Sequence, residues 1–191
     1  MSLSRAKPIY LLEHSEELGD VDFLFDSTER IVGCFDRRQD AVVTRQIARN
    51  LPGFRDQPNN FRIDRFDATD CFWAKGFKTY VTNYDTREER LISDPPVKKT
   101  DQRDRIPRFS AVDDGSDRIC YVVHHTSRFN DDEDRKLIGV YRSIDDANAV
   151  IQKMSYVRGF RRQPERFTCT PFVIGFRYFQ EGFTSEYQDT F

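Results

Sequence analysis

The chain is written twice. Ile31, Val32, Gly33, Cys34 and Phe35 return as Leu137, Ile138, Gly139, Val140 and Tyr141, and the second copy then keeps a constant offset from the first. Pro52-Gly53-Phe54-Arg55-Asp56-Gln57-Pro58 returns as Arg158-Gly159-Phe160-Arg161-Arg162-Gln163-Pro164, Phe61 as Phe167, and Trp73-Ala74-Lys75-Gly76-Phe77 as Phe179-Gln180-Glu181-Gly182-Phe183. About a quarter of the aligned positions are identical without a gap. The matches fall on glycines, prolines and aromatics, so they mark a duplicated structural unit. Each copy has about 65 to 70 residues, a size at which an isolated core is marginal. The copies are therefore expected to pack together, and any function must be compatible with duplication.

Each copy opens on an apolar, β-branched and aromatic run, 9–14 and 120–125, then a polar turn, then a return strand, 29–35 and 136–141. The glycine inside the return strand predicts a bulge or a close backbone approach from the neighbouring helix. Asp36 and Ser143 stand where strand gives way to helix, and Ser143 is a good N-cap followed by Asp145 and Asp146. Ala41, Val42, Ile47 and Leu51 give the first helix one apolar stripe, and Ala147, Val150, Ile151 and Met154 give the second its own. Gly53 and Gly159 end the helices, and a third strand begins near Phe61 or Phe167. The fold class is α+β: two tandem β-β-α-β modules, each a small, mainly antiparallel sheet with one helix packed on it and a final aromatic-x-x-Gly-Phe segment closing it.

The expected boundaries are 7–84 for module 1, 85–117 for a charged, poorly structured linker containing Pro95, Pro96 and Pro107, and 118–191 for module 2. A net charge of -2 over 191 residues gives no global field toward nucleic acid or an anionic membrane. No apolar run suits a signal peptide or a membrane span, so the expected location is the cytoplasm. Cys34, Cys71, Cys120 and Cys169 map onto Val140, Arg177, Ile9 and Ile63 in the other copy, which reads as thiols filling core space, with no metal site, disulfide or cofactor.

The combined pattern is Tyr-x-x-x-His-[Ser/Thr], Ile-Gly-[Val/Cys]-[Tyr/Phe], Gly-Phe-Arg-x-Gln-Pro, Phe, and [Trp/Phe]-x-x-Gly-Phe. It resembles a family of small uncharacterised bacterial domains whose members usually carry the module once. The resemblance covers both halves but not the linker, and its anchors are structural residues, so it implies a fold and no activity. Copy one departs from it in an enlarged acidic hairpin, and copy two in Phe179, which stands where the pattern has tryptophan.

No metalloprotease helix, nucleophile elbow or phosphate-cradling loop is present. His14, repeated as His125, is the one recurring residue of catalytic type, and a hydrolase could use it as a base. It is followed by Ser15 or Thr126, but no nucleophile-plus-orienter set recurs with it, which favours a histidine bonding the turn backbone. Asp64, Asp67 and Asp70 meet Thr170, Val173 and Phe176 in the other copy, so no carboxylate pair is shared. The acidic turns are more suggestive: Glu16, Glu17, Asp20 and Asp22 in copy one, and Asp131, Asp132, Glu133 and Asp134 in copy two, could dock in a basic groove on another protein. Phe129, Tyr178 and Tyr84 are candidate aromatic anchors beside them. Arg55 beside Phe54, and Arg158, Arg161, Arg162 and Arg166 around Phe160, could instead form an anion or single-strand site, although core anchoring suits those phenylalanines better.

The expected function is therefore non-enzymatic protein binding. Its most specific form is an immunity protein that neutralises a cognate bacterial toxin, such as a nuclease, by occluding its active site. The alternative is a ligand-binding or nucleic-acid-binding regulatory module using the arginine and aromatic face. No membrane partner is expected, direct nucleic-acid binding is disfavoured, and association with a second copy is left open.

Overall fold

The computed structural model describes residues 7–17, 27–67, 69–83, 88–92, 94, 102–112, 118–129 and 132–184. Strands β1 (Ile9–Glu17) and β2 (Ser27–Phe35), helix α1 (Arg38–Ala48) and strand β3 (Phe61–Phe66) form the first repeat. A two-stranded hairpin follows, β4 (Tyr80–Asn83) with β5 (Glu88–Leu91). The second repeat is β6 (Ile119–Phe129), β7 (Asp132–Tyr141), α2 (Ile144–Met154) and β8 (Phe167–Val173). The two three-stranded sheets have the orders β2-β1-β3 and β7-β6-β8, so the α+β fold and the duplicated module are both present.

Each return strand carries a bulge at its glycine. Leu12 faces Gly33 while Glu13 faces Ile31, leaving Val32 as the extra residue. In the second sheet Val123 faces Gly139 and His124 faces Leu137, leaving Ile138 extra. The glycines also permit a close approach, but the approaching group is not the helix. A Cβ at Gly33 would stand 2.7 Å from the Phe176 carbonyl oxygen, and one at Gly139 would stand 2.9 Å from that of Asp70. Both carbonyls belong to the segment that follows the third strand of the opposite repeat.

That observation explains how the chain divides. One compact unit is Met1–Ala68 with Phe172–Phe191, and the other is Thr69–Pro171. The aromatic-x-x-Gly-Phe tail of each repeat thus lies in the unit built by the other, where the sequence reading had each tail closing its own module. β2 and β7 are edge strands, whose outer main-chain groups need partners. The tails supply some of them. The Tyr178 amide donates to the Val32 carbonyl at 2.9 Å, and the Phe72 amide donates to the Ile138 carbonyl at 2.8 Å.

The first core gathers Leu12, Val32, Phe35, Ala41, Ala48 and Phe54. The second gathers Tyr121, Val123, Ile138, Tyr141, Ala147, Ile151, Met154, Phe160 and Phe167. The second helix buries Ala147, Ile151 and Met154 as its spacing predicts, with Val150 partly buried against them. The first helix differs: Ala41, Thr44 and Ala48 face the core, while Ile47 is 51% exposed. A three-residue step from Ala41 to Thr44 and a four-residue step from Thr44 to Ala48 set this face, and small residues on it let the helix lie close to the sheet. Arg37, not Asp36, holds the N-cap position and makes no capping bond, whereas the Ser143 hydroxyl accepts the Asp146 amide at 3.1 Å. Ser143→Ala should therefore cost about 1 kcal/mol in urea unfolding. An unchanged midpoint would show that the cap contributes nothing.

Within the segment expected to be a loose linker, Asp94, Gln102, Arg105 and Phe109 are bonded to the second repeat. Asp94 pairs with Arg161 at 2.9 Å and accepts the Gly159 amide. Buried Gln102 donates to the Arg161 carbonyl, and Arg105 reaches Glu165 at 2.9 Å. Asn148 exchanges two hydrogen bonds with the Phe109 main chain, at 3.0 and 2.8 Å. Its charges serve specific partners as well as solvent.

Candidate functional site

His14 and His125 are the recurring titratable residues of catalytic type. His14 is fully buried within β1, and its Nε2 lies 3.0 Å from the Gln57 carbonyl. His125 repeats the contact with the Gln163 carbonyl at 2.9 Å. A carbonyl only accepts, so each Nε2 carries the proton and donates. Each ring sits in an aromatic cage: Phe54 at 5.0 Å and Phe61 at 4.6 Å surround His14, and Phe160 at 5.0 Å and Phe167 at 4.7 Å surround His125. Burial lowers both pKa values below the ordinary histidine range, and the backbone bond only partly opposes it. Neutral, enclosed rings of this kind fasten the central strand to the loop after the helix.

The opposite face of the strand carries a second pair of equivalent polar positions, Glu13 and His124, both buried. Glu13 pairs with Arg62 at 3.1 Å, and its pKa is raised, first by burial. The Arg135 guanidinium approaches His124 Nδ1 at 3.3 Å, so that nitrogen accepts and the ring is neutral. Sequence reasoning missed this pair because Glu and His do not look like copies of one another.

The acidic residues divide. Glu16 is only 7% exposed on β1 and pairs with Arg30 at 2.7 Å, so it does not project from a hairpin tip. Asp134 pairs with Lys136, and Glu133 lies 3.6 Å from Arg166. Glu17 closes β1, Phe129 closes β6 and Asp132 opens β7. Asp20, Asp22, Asp131 and Tyr84 lie outside the described residues. Tyr178 belongs to a tail. Its ring packs edge-on to Phe172 at 5.1 Å and Phe176 at 4.9 Å, and its hydroxyl accepts the Val173 amide at 3.0 Å.

Arg30 and Lys136 occupy equivalent positions and do the same work. The Arg30 guanidinium lies 3.9 Å from the Phe183 ring centroid, and Lys136 Nζ lies 4.6 Å from that of Phe77 and 4.9 Å from that of Trp73. Each cation therefore covers the tail phenylalanine while a carboxylate, Glu16 or Asp134, holds it there. Two of the carboxylates expected to meet a partner, Glu16 and Asp134, thus also hold the cations that cover the tails.

Phe54 and Phe160 are fully buried and offer no surface for stacking bases. Arg161 is committed to Asp94, and Arg166 faces Glu133. The four cysteines are free thiols, Cys34 and Cys120 buried, Cys71 and Cys169 partly so. Among the described residues no group of three or more His, Cys, Asp or Glu is placed to hold a metal ion, and no helix is long and apolar enough to cross a membrane.

The tails do present aromatic surface. Trp73 is 45% exposed and Phe179 is 38% exposed, at the same position of the two repeats. Both have left-handed backbone, with φ of 63° and 56°, and they are the only non-glycine residues described that do. Such a conformation is unfavourable for a bulky residue and persists only where the surroundings impose it. Here the turn closes through Gly76 donating to the Trp73 carbonyl at 2.6 Å and Gly182 to that of Phe179 at 3.0 Å. Comparison of the chain with protein-family models, curated protein sequences and solved structures returned no match.

Proposed function

We propose that this chain is a non-enzymatic protein-binding protein whose contacts centre on Trp73 and Phe179, and that its partner is a protein toxin that it neutralises by occlusion. One observation carries the reading: two large aromatic side chains are held half in solvent, in a strained backbone, at the same place in both repeats. Strain of this type concentrates at recognition sites, and exposed aromatics are the side chains that supply most contact energy in protein interfaces. The enclosed, neutral histidines support a binding role over hydrolysis. The toxin-neutralising form rests on Glu133 and Asp134, whose side chains are 55% and 56% exposed and would add acidic character to the surface that meets a basic cleft.

The test is co-expression with the toxic protein encoded beside the gene, reading growth and the affinity of the purified pair. Trp73→Ala with Phe179→Ala should leave the circular dichroism unchanged and weaken binding by roughly thirtyfold or more, since one interface anchor is worth about 2 kcal/mol. Glu133→Gln with Asp134→Asn should slow association, with the difference shrinking as salt rises. Full protection by both variants would remove the proposal, and tight, steeply salt-dependent binding of DNA or RNA would put the regulatory reading in its place.

A further inference from the structure

We propose that each unit contains a peptide-recognition groove for an aromatic-x-x-Gly-Phe segment, that the two grooves are interchangeable, and that a vacated groove takes the tail of a second copy of this chain. The two occupied grooves match closely in their main-chain and ring contacts. In the first unit the Phe183 amide donates to the Pro52 carbonyl at 3.1 Å, and in the second the Phe77 amide donates to the Arg158 carbonyl, also at 3.1 Å. Phe183 meets Phe54 edge-on at 4.8 Å and 87°, and Phe77 meets Phe160 at 4.9 Å and 81°. The Tyr178 and Phe72 amides bond the bulged carbonyls of Val32 and Ile138 at 2.9 and 2.8 Å. A cation, Arg30 or Lys136, covers each phenylalanine.

Most of this recognition uses main-chain groups and the features common to both tails. Where the tails differ, Ala74, Lys75, Gln180 and Glu181 make none of these contacts, whereas Trp73 lies under Lys136 and the Asp70 carbonyl accepts the Tyr141 hydroxyl at 2.9 Å, a bond that Phe35 cannot supply in the first unit. Gly53 and Gly159 make room for the ring: a Cβ at Gly53 would stand 2.8 Å from the Phe183 ring, and one at Gly159 would stand 2.6 Å from that of Phe77. Each groove is already filled by a tail from the other repeat rather than from its own. Tail and groove therefore recognise each other as separable partners, and covalent connection decides only which tail arrives first. A tethered tail competes at an effective concentration in the millimolar range, which keeps a free tail out of the intact chain.

The experiment uses full-length protein in which Phe183→Ala weakens the resident tail. The probes are two fluorescein-labelled synthetic peptides, one spanning 172–184 and one spanning 69–78, followed by fluorescence anisotropy. Both should bind the variant saturably, and binding to the unsubstituted chain should be weaker by about a hundredfold or more. Adding Gly53→Val should abolish the gain by filling the ring's place. If Phe183→Ala does not fold, Phe183→Leu, which keeps apolar contact and loses the ring, takes its place. Binding of only the 172–184 peptide would overturn interchangeability. Equal binding to substituted and unsubstituted chains, or none to either variant, would overturn the groove itself.

Discussion

Phe160→Ala should destabilise the protein by about 3 to 5 kcal/mol, the loss expected when a fully buried aromatic ring is removed and leaves a cavity. The ring is completely enclosed and lies 4.9 Å from Phe77, 5.0 Å from His125 and 5.5 Å from Phe167. It is the surface on which the incoming tail, the central-strand histidine and the third strand converge, so the substitution loosens three connections at once. Thermal unfolding should move down by roughly 10 °C, given about 2 to 4 °C per kcal/mol for a chain of this length. Phe54→Ala should act similarly on the first unit, where Phe61, His14 and Phe183 surround the equivalent ring. A change below about 1 kcal/mol in urea denaturation of either variant would contradict the central place given to these rings.

Acid should weaken the fold well before its carboxylates are fully protonated. Burial, and then the Arg135 guanidinium, lower the pKa of His124 from 6.5 to about 3. Below pH 6.5 the unfolded chain binds a proton at this ring that the folded chain does not accept. The stability is thus complete above about pH 6.5 and is lost as pH falls toward 3, by roughly 3 to 5 kcal/mol over that interval. His14 and His125, also lowered by burial, act in the same direction. Glu13 acts in the opposite direction, because its raised pKa lets the folded state take up a proton more readily. Urea unfolding from pH 7 to 4 should show the decline, and His124→Gln should flatten part of it. An identical acid slope in that variant would show that the buried ring is not its source.

What the sequence made legible was whatever depends on local chemistry. Gly33 and Gly139, Ser143 and the stripe of α2 report backbone and helix geometry directly, and the α+β module followed from them. Ile47 misled because periodicity counts apolar residues without weighing size, and the close helix-to-sheet contact selected Thr44 instead. The destination of the tails was not legible for a different reason. Two copies carrying the same motif fit either groove equally well on paper, so only the chain path distinguishes exchange from self-closure. The acidic residues showed a related limit. Glu16 and Asp134 look like free surface charge until Arg30, on the neighbouring strand, and Lys136, on the same strand, are placed beside them. For the candidate site, the aromatic at position 73 was visible in the repeat, but its exposure and left-handed backbone were not.

The crossing of the tails also sets an order of events during synthesis. Strands β1, β2 and β3 and helix α1 emerge first, yet the ring that seals them, Phe183, is translated long after the whole of the second repeat has begun to appear. Domains ordinarily mature one after another as they leave the ribosome. Here the earlier unit must wait, with the edge of β2 and the surface around Phe54 uncovered, while the later unit already has Phe77 to hand. The second unit is therefore the one able to finish first, and the nascent protein matures from its middle outward.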